Sequence, residues 1–376
     1  MHAEKSEMKP QRTRCLFFRD LCDLTSRTLC EPTSKQAPMK VIHVILSGGV
    51  GSRLWPVSRK SMPKQYIPMF DGKSLFQHTA ERNRDLADQV LVVGNKDNYL
   101  LSQGDLLRAG IGEYIEVIEA APRNTAAAIA FAAFAAKPDD ILLVTPSDHI
   151  ITNESAYAAA LSEAVELAQD GFLVTFGITP TKPETGYGYI ECQGNEVLSF
   201  REKPDEQTAQ TFLNRTADRS GNFLWNSGMF CFQAGIYLEE LEKFEPEILE
   251  MSATCYKGCI DSFLPELETM NIPSKSIDYA VMERSEKIKV VQTHFGWSDL
   301  GSFESVWDHW EAQGEIHRFK DNNCVVGSEK HIEFLGVSNI MLVETSDAIL
   351  VLAKNSSQDV KKIYERLERE RPELVN

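Results

Sequence analysis

The sequence predicts an α/β fold, a doubly wound and mostly parallel sheet with helices on both faces, followed by a small β domain. Two observations carry the first part. From Lys40 onward, short runs rich in Val, Ile and Leu alternate with helical stretches, strand then helix repeated. Those runs are almost continuously apolar rather than alternating, as strands buried on both faces require. A third observation carries the second part: past Trp307 the texture changes to short strands punctuated by turn residues.

Taken in order, residues 1–38 stand apart. They show no sustained periodicity, their one apolar island is too short for a secretory signal, and acidic residues interrupt any targeting peptide. They read as a poorly structured extension. The strands then follow as KVIHVILSG (40–48), QVLVVG (89–94), YIEVIEA (114–120), DILLVTP (140–146) and GFLVTFGI (171–178). Between them lie the helix candidates SLFQHTAERNRDL (74–86) and TAAAIAFAAFAAK (125–137), and NESAYAAALSEAV begins another at Asn153. The α/β domain is expected over 39–306. Residues 307–376 form the small β domain, with strands inside 322–356 and QDVKKIYERLERER (358–371) as a closing amphipathic helix.

Composition excludes whole classes of partner. With 376 residues, 43% hydrophobic and 25% charged, the chain is globular and long enough to bury a large core. Its formal net charge of -16 offers no positive field to hold nucleic acid or an anionic membrane. No stretch reaches the roughly 18 apolar residues of a membrane span. Any anion must therefore be gripped locally. The eight cysteines are scattered without a paired CxxC pattern, and Cys255 with Cys259 reads as ordinary helix filling. A reduced, cytoplasmic chain with free thiols accounts for them.

Sheets of this kind bind ligands at the carboxyl ends of their strands, so the residues just after each strand matter most. Ser47-Gly48-Gly49-Val50-Gly51-Ser52-Arg53 follows the first. Its glycines let backbone approach a ligand closely, but their spacing fits neither a dinucleotide-binding loop nor a Walker loop. What remains is GG-x-G-x-R-L, with Arg53 as a planar fork for phosphate oxygens and Arg59 and Lys64 close behind. That combination points to a polyphosphate site. After the strand ending at Pro146 come Ser147, Asp148 and His149. Asp148 could cap the next helix or meet a metal; Asn153 or Thr152 is better placed as the cap, which leaves Asp148 free. Asp299, in FGWSDLGSF (295–303), is a second candidate. Two carboxylates with phosphate oxygens and water complete an Mg2+ octahedron, although spacing alone does not bring this pair together.

Three further loops have ligand character. PRNTA (122–126) sets Arg123 and Asn124 at the start of an alanine-rich helix, where Asn124 could read a base edge or merely cap the helix. ETGYGYIE (184–191) offers a glycine loop with aromatics for a sugar ring, and FREKPD (200–205) places Glu202 beside Lys203. That pair is a hydroxyl acceptor next to a phosphate clamp, or else plain surface charge. WNSGMF (225–230) adds Asn226, an amide for sugar hydroxyls or for a tight turn.

Assembled in chain order, LSGGVGSRLWPVSR…PKQ (46–65), APRNTA (121–126), TPSDHII (145–151), TGYGYIE (185–191), FREKPD (200–205), NSGMF (226–230), SIDYAVME (276–283) and WSDLGS (297–302) resemble the mannose-1-phosphate guanylyltransferases. The resemblance covers residues 40 to 356 and places the chain beside the sugar-nucleotidyltransferase superfamily. It implies a Rossmann-like nucleotidyltransferase domain, a C-terminal domain built as a short left-handed β-helix, and transfer of GMP from GTP to mannose 1-phosphate. The products would be GDP-mannose and pyrophosphate. By the same resemblance Gly48, Gly49, Gly51, Ser52 and Arg53 cradle the triphosphate, Lys64 reaches the α-phosphate, and Arg123 and Asn124 belong to the guanosine-recognising part. Gly188, Glu202, Lys203 and Asn226 would surround mannose 1-phosphate, with Asp278 as a wall of that pocket. Asp148 and Asp299 would bind Mg2+, and with Arg53 and Lys64 they make up the expected catalytic set.

The β tail could mediate a homodimer. Longer relatives carry a C-terminal phosphomannose isomerase module, and this chain ends at Asn376 without one, so transferase activity alone is expected. Two rivals stand beside this reading. One is the same chemistry on another sugar 1-phosphate or nucleotide. The other is a catalytically silent subunit that binds GDP-mannose, which would be expected to lose the cations or carboxylates retained here.

Overall fold

The computed structural model describes residues 38–376; all but Pro38 of the extension expected over 1–38 lies outside the described residues. The apolar runs become strands β1 (Val41–Leu46), β2 (Gln89–Asn95), β3 (Ile115–Glu119), β4 (Ile141–Pro146), a two-residue β5 (Ile150–Ile151) and β6 (Leu173–Ile178). With β7 (Tyr189–Gln193), β8 (Glu196–Arg201), β9 (Phe223–Gln233) and β10 (Ile288–Thr293) they form a nine-stranded sheet, β5 excepted. Its order is β3-β2-β1-β4-β9-β6-β10-β8-β7. The short β11 (Trp297–Ser298) pairs antiparallel with β5.

Parallel pairing, expected for most of the sheet, holds from β3 to β4 and again between β6 and β10. The rest is mixed, because β9 runs antiparallel to β4, β6 and β7. The β7/β8 hairpin reverses the chain, and the following helix hands that reversed direction to β9. One consequence bears on function: β9 begins where β6 ends, with Asn226 opposite Gly177, so an amide joins the edge where the parallel strands terminate.

Helices α1 (Leu75–Asn83), α2 (Tyr99–Arg108), α3 (Asn124–Phe134), α4 (Glu154–Gln169), α5 (Glu206–Ala217), α6 (Ala234–Phe244), α7 (Pro246–Lys257) and α8 (Glu266–Asn271) accompany the sheet. Among them α3 is buried throughout from Ala126 to Ala133, the pattern of a helix enclosed on all sides. Its small side chains let it lie in one core with the sheet, α6 and α7. Asn153 caps α4, as expected, by accepting from Ala156 N at 3.0 Å. No described helix is long and apolar enough to cross a membrane.

After α9 (Phe303–Ala312) the chain forms β12 (Phe319–Lys320), β13 (Asn323–Val326), β14 (Ile340–Glu344) and β15 (Ile349–Ala353), a second sheet in that order. Only β13 and β14 pair parallel within it. The closing helix α10 (Val360–Glu370) buries Val360, Tyr364 and Leu367, one stripe at helical spacing. The division expected at residue 307 falls inside α9, whose Phe303, Trp307 and Trp310 share a core with Val343, Leu352 and Tyr364. Leu54 and Trp55, from the loop after β1, belong to that same core.

Because α3 has no room on any side, Ala130→Leu should overpack it at a cost of about 1–3 kcal/mol. A clear fall in the midpoint of urea unfolding is expected; an unchanged midpoint would mean that the α3 layer has slack.

Candidate active site

The site starts from the glycine loop at the end of β1. Ser47 Oγ lies 2.5 Å from Tyr66 Oη, which in turn lies 2.7 Å from Ser102 Oγ on α2. This buried hydroxyl chain ties the start of the loop to the segment that follows Lys64. Gly49 and Gly51 take left-handed backbone angles, φ 87° and 75°. Gly48 and Gly49 face open space, whereas a Cβ on Gly51 would strike the Lys64 side chain. Gly51 is therefore glycine for two reasons, backbone hand and the passage of Lys64 across it. Ser52 opens the short turn Ser52–Leu54 that carries Arg53.

Lys64 is only 5% exposed. Its Nζ lies 2.8 Å from Asp148 Oδ2 and donates to the Asp299 backbone oxygen at 2.5 Å. The two candidate metal carboxylates, 151 positions apart, thus belong to one constellation. Burial pushes the Asp148 carboxyl upward, but the Lys64 ammonium and its hydrogen bond outweigh that and hold it below the usual carboxylate range. Beside it, burial keeps the His149 imidazole low, and its Nδ1 accepts from Trp297 Nε1 at 3.1 Å. Asp299 Oδ1 accepts from Tyr187 Oη at 2.7 Å and from Gly301 N at 3.0 Å. Burial and then the Asp299 charge push the Tyr187 phenol far up, so it stays a donor. Arg53 completes this end: its Nη1 donates to Gln358 Oε1 at 2.9 Å, and its Nη2 lies against Gly301.

Arg59, counted with the phosphate cations on sequence, points elsewhere. Its N–H groups go to Pro56 O, Leu374 O, the Asp347 carboxylate and Thr345 Oγ1, which leaves the guanidinium saturated. Proximity along the chain to the glycines did not reveal the direction of this side chain.

A second cluster lies at the start of β9. Asn226 N donates to Gly188 O at 2.8 Å, and a Cβ on Gly188 would strike Glu202 Oε2. Glu202, 7% exposed at its side chain, pairs with Lys203 Nζ at 2.8 Å. Asn226 donates through Nδ2 to Asp278 Oδ1 at 2.9 Å and accepts from Thr175 Oγ1 at 2.9 Å. Burial, then the Glu202 charge, lifts the Asp278 carboxyl to about 6. Gly188, Glu202, Lys203, Asn226 and Asp278 therefore converge, and Glu202 is no loose surface charge.

Arg123 and Asn124 are engaged locally. Arg123 Nε donates to Ile272 O at 2.6 Å. Asn124 is left-handed at φ 68° and its Oδ1 accepts from the adjacent Thr125 N, so it does not cap α3 in the ordinary way. Beside them is a residue that the sequence reading passed over. Glu119, at the carboxyl end of β3, is buried with Oε1 unpartnered, and burial pushes it up to about 8 against the opposing Arg123 N–H. The available signal was the second acid of a strand, Glu119 at its carboxyl end after Glu116. Gln358 was likewise unmarked, and Tyr187, read among the aromatics for a sugar ring, instead donates to Asp299.

Among the described residues no group of three or more His, Cys, Asp or Glu side chains could hold a metal ion by itself. A cation at Asp148 and Asp299 would have to share its shell with substrate oxygens.

This geometry has relatives. The nucleotidyl transferase profile matches residues 42–315. The chain belongs to the nucleotidyl transferase family. It is thus an enzyme that moves a nucleotidyl group, and a MannoseP isomerase/GMP-like beta-helix domain profile matches its residues 320–367. This nucleotidyltransferase is 41% identical to the mannose-1-phosphate guanylyltransferase RfbM of Salmonella typhimurium, over 88% of its own length and 73% of the relative. It is 38% identical to the mannose-1-phosphate guanylyltransferase of Escherichia coli K12, over 88% and 74%. Among solved structures it resembles a Thermus thermophilus protein named mannose-1-phosphate geranyltransferase, with TM-score 0.72 and 29% identity over 88% of this chain and all of that one. A Helicobacter pylori mannose-6-phosphate isomerase aligns with TM-score 0.62 and 37% identity, over 69% of this chain and all of that one.

If Lys64 is what holds the Asp148 carboxyl low, Lys64→Met in this nucleotidyltransferase should raise the Asp148 pKa. A carboxyl-carbon NMR titration reads this directly; an unmoved Asp148 resonance would remove Lys64 as the cause.

Proposed function

We propose that the chain transfers the guanylyl group of GTP to mannose 1-phosphate, forming GDP-mannose and releasing pyrophosphate. One observation supports this above the others: Lys64 stands between Asp148 and Asp299 at the mouth of the glycine loop. The cation thus holds the Asp148 carboxylate and the backbone of Asp299, whose own carboxylate accepts from Tyr187 and Gly301. Charges of both signs gather there, as phosphoryl chemistry on a polyphosphate requires. The names of the similar guanylyltransferases supply the choice of nucleotide and sugar. The silent-subunit rival is disfavoured because Arg53, Lys64, Asp148 and Asp299 are all kept in that cluster.

In this reading a phosphate oxygen of mannose 1-phosphate attacks the α-phosphorus of GTP, and the bond to pyrophosphate breaks. No general base is needed, since the nucleophile is already an anion. The obstacle is repulsion between two anions that must meet in line, so neutralisation and positioning are the work of the site. The backbone of Gly48, Gly49, Gly51 and Ser52 with Arg53 receives the β- and γ-phosphates. Lys64 exchanges its carboxylate partner for the α-phosphate and then steadies the leaving pyrophosphate. Glu202 and Asn226 hold sugar hydroxyls, Lys203 the sugar phosphate, and Asp278 fixes the Asn226 amide through its hydrogen bond. Gly188 leaves the space in which Glu202 sits.

Asp148 and Asp299 fit a hard divalent cation such as Mg2+: both offer carboxylate oxygens, and the ammonium between their loops marks where the fold accommodates positive charge. Bound there, Mg2+ would supply charge neutralisation at the reacting phosphates. At the base end Arg123 and Asn124 shape the entrance, and Glu119 provides the reading group. A carboxylate can accept from both N1–H and the 2-amino group of guanine, which adenine does not present together. The C-terminal unit we read as a short left-handed β-helical turn, supported by the parallel step from β13 to β14. Free thiols at Cys192, Cys231, Cys255, Cys259 and Cys324 support a reducing, cytoplasmic setting.

Asp148→Asn should lower the rate of pyrophosphate release by at least about a hundredfold while leaving the fold intact; near-normal turnover would remove the carboxylate from the mechanism. Glu119 must shed its proton to receive guanine. KM for GTP should therefore fall as pH rises toward about 8, where Glu119 ionises. Glu119→Gln should flatten that dependence and narrow the preference for GTP over ATP. An unchanged nucleotide preference in the variant would shift base selection away from Glu119.

A further inference from the structure

The loop that carries Arg53 and Lys64 is not held by the α/β domain alone. Between Leu54 and Lys60 it is fastened to the C-terminal unit at almost every step. Leu54 and Trp55 pack in the core of that unit, and Trp55 Nε1 donates to Leu374 O at 2.8 Å. Lys60 N donates to Val375 O at 2.9 Å, and Lys60 Nζ pairs with Glu368 at 2.6 Å. Arg59, with its side chain 11% exposed, grips the Asp347 carboxylate through both Nη atoms, at 2.7 and 3.2 Å, and Leu374 O at 2.5 Å. Bidentate geometry of this kind fixes orientation as well as contributing energy. Finally Gln358, on the turn before α10, accepts from Arg53 Nη1 at 2.9 Å.

From these contacts we infer that the C-terminal unit is a working part of the nucleotide site, in which Gln358 is a positioning residue for Arg53 and the Arg59–Asp347 clamp sets the loop behind it. This rests on the reading of Arg53 as a triphosphate ligand. A long arginine free to sample many rotamers loses side-chain entropy when it meets phosphate; one already held by a neutral acceptor loses less. Gln358 is suited to this because an amide oxygen orients the guanidinium without neutralising it, and it engages one of five N–H groups, leaving the others for anionic oxygens. The clamp acts one level further back. Arg59 spends its own donors on the C-terminal unit, so it contributes to the site through where it puts residues 52–64 rather than by touching ligand.

The test uses the full chain and two readouts, GTP binding by calorimetry and steady-state pyrophosphate release. Gln358 is exposed, so Gln358→Ala is expected to fold normally. It should weaken GTP binding and raise KM for GTP about three- to tenfold, the range of one ordinary net hydrogen bond. KM for mannose 1-phosphate and the melting temperature should stay as they are. In an Arg53→Ala background the same substitution should change nothing further, because Gln358 acts through Arg53. Asp347→Asn should raise KM for GTP in the same direction. A GTP affinity within twofold of the unsubstituted chain, or effects that simply multiply in the Arg53→Ala background, would overturn the inference. Failure of the unsubstituted chain to release pyrophosphate while GTP binding still responds to Gln358→Ala would instead overturn the proposed reaction and leave the positioning role standing.

Discussion

The ammonium of Lys64 reaches the Asp148 carboxylate at 2.8 Å and the Asp299 carbonyl at 2.5 Å, and the surrounding site is built on that contact. It joins segments that follow three different strands, β1, β4 and β11. It also answers the difficulty of an acidic chain that must handle polyanions. A carboxylate beside an anion site is unfavourable unless a cation compensates it, and here the cation beside Asp148 comes from the segment that follows the glycine loop. In the proposed reaction a triphosphate and a divalent cation would exchange partners with this ammonium and carboxylate.

Everything that supports Lys64 can be traced to packing. The Ser47–Tyr66–Ser102 hydroxyl chain fixes the segment just after Lys64, and Gly51 leaves the lane through which its side chain runs. Behind the loop, the core shared by Leu54, Trp55, α9 and the C-terminal strands makes the small β unit part of the scaffold. The reversed direction of β9 has a similar role on the other side. It delivers Asn226 to the carboxyl end of β6, where Glu202 and Asp278 can gather around it.

Much of this was legible in the sequence. Continuous apolar runs separated by helical stretches identify the parallel half of the sheet, and residues just after β1, β4 and β8 fall in the two clusters described above. What could not be read has physical reasons. A strand buried on both faces has the same composition whether it runs with its neighbours or against them, so the reversal of β9 left no trace. The meeting of Asp148 and Asp299 depends on β5 pairing with β11, two short strands with little pattern of their own. Arg59 was grouped with the phosphate cations because a side chain of that length can turn either way from its backbone position. Glu119 lay hidden in a strand that carries a second acid, Glu116, and only the fold shows that Glu119 is the buried one.

The most direct measurement is phosphorus NMR of the purified chain mixed with GTP, mannose 1-phosphate and Mg2+. The account predicts that the mannose 1-phosphate and GTP resonances fall together while GDP-mannose and pyrophosphate appear in equal amounts. Persistence of mannose 1-phosphate, whether GTP stays intact or decays to GDP and inorganic phosphate, would contradict it.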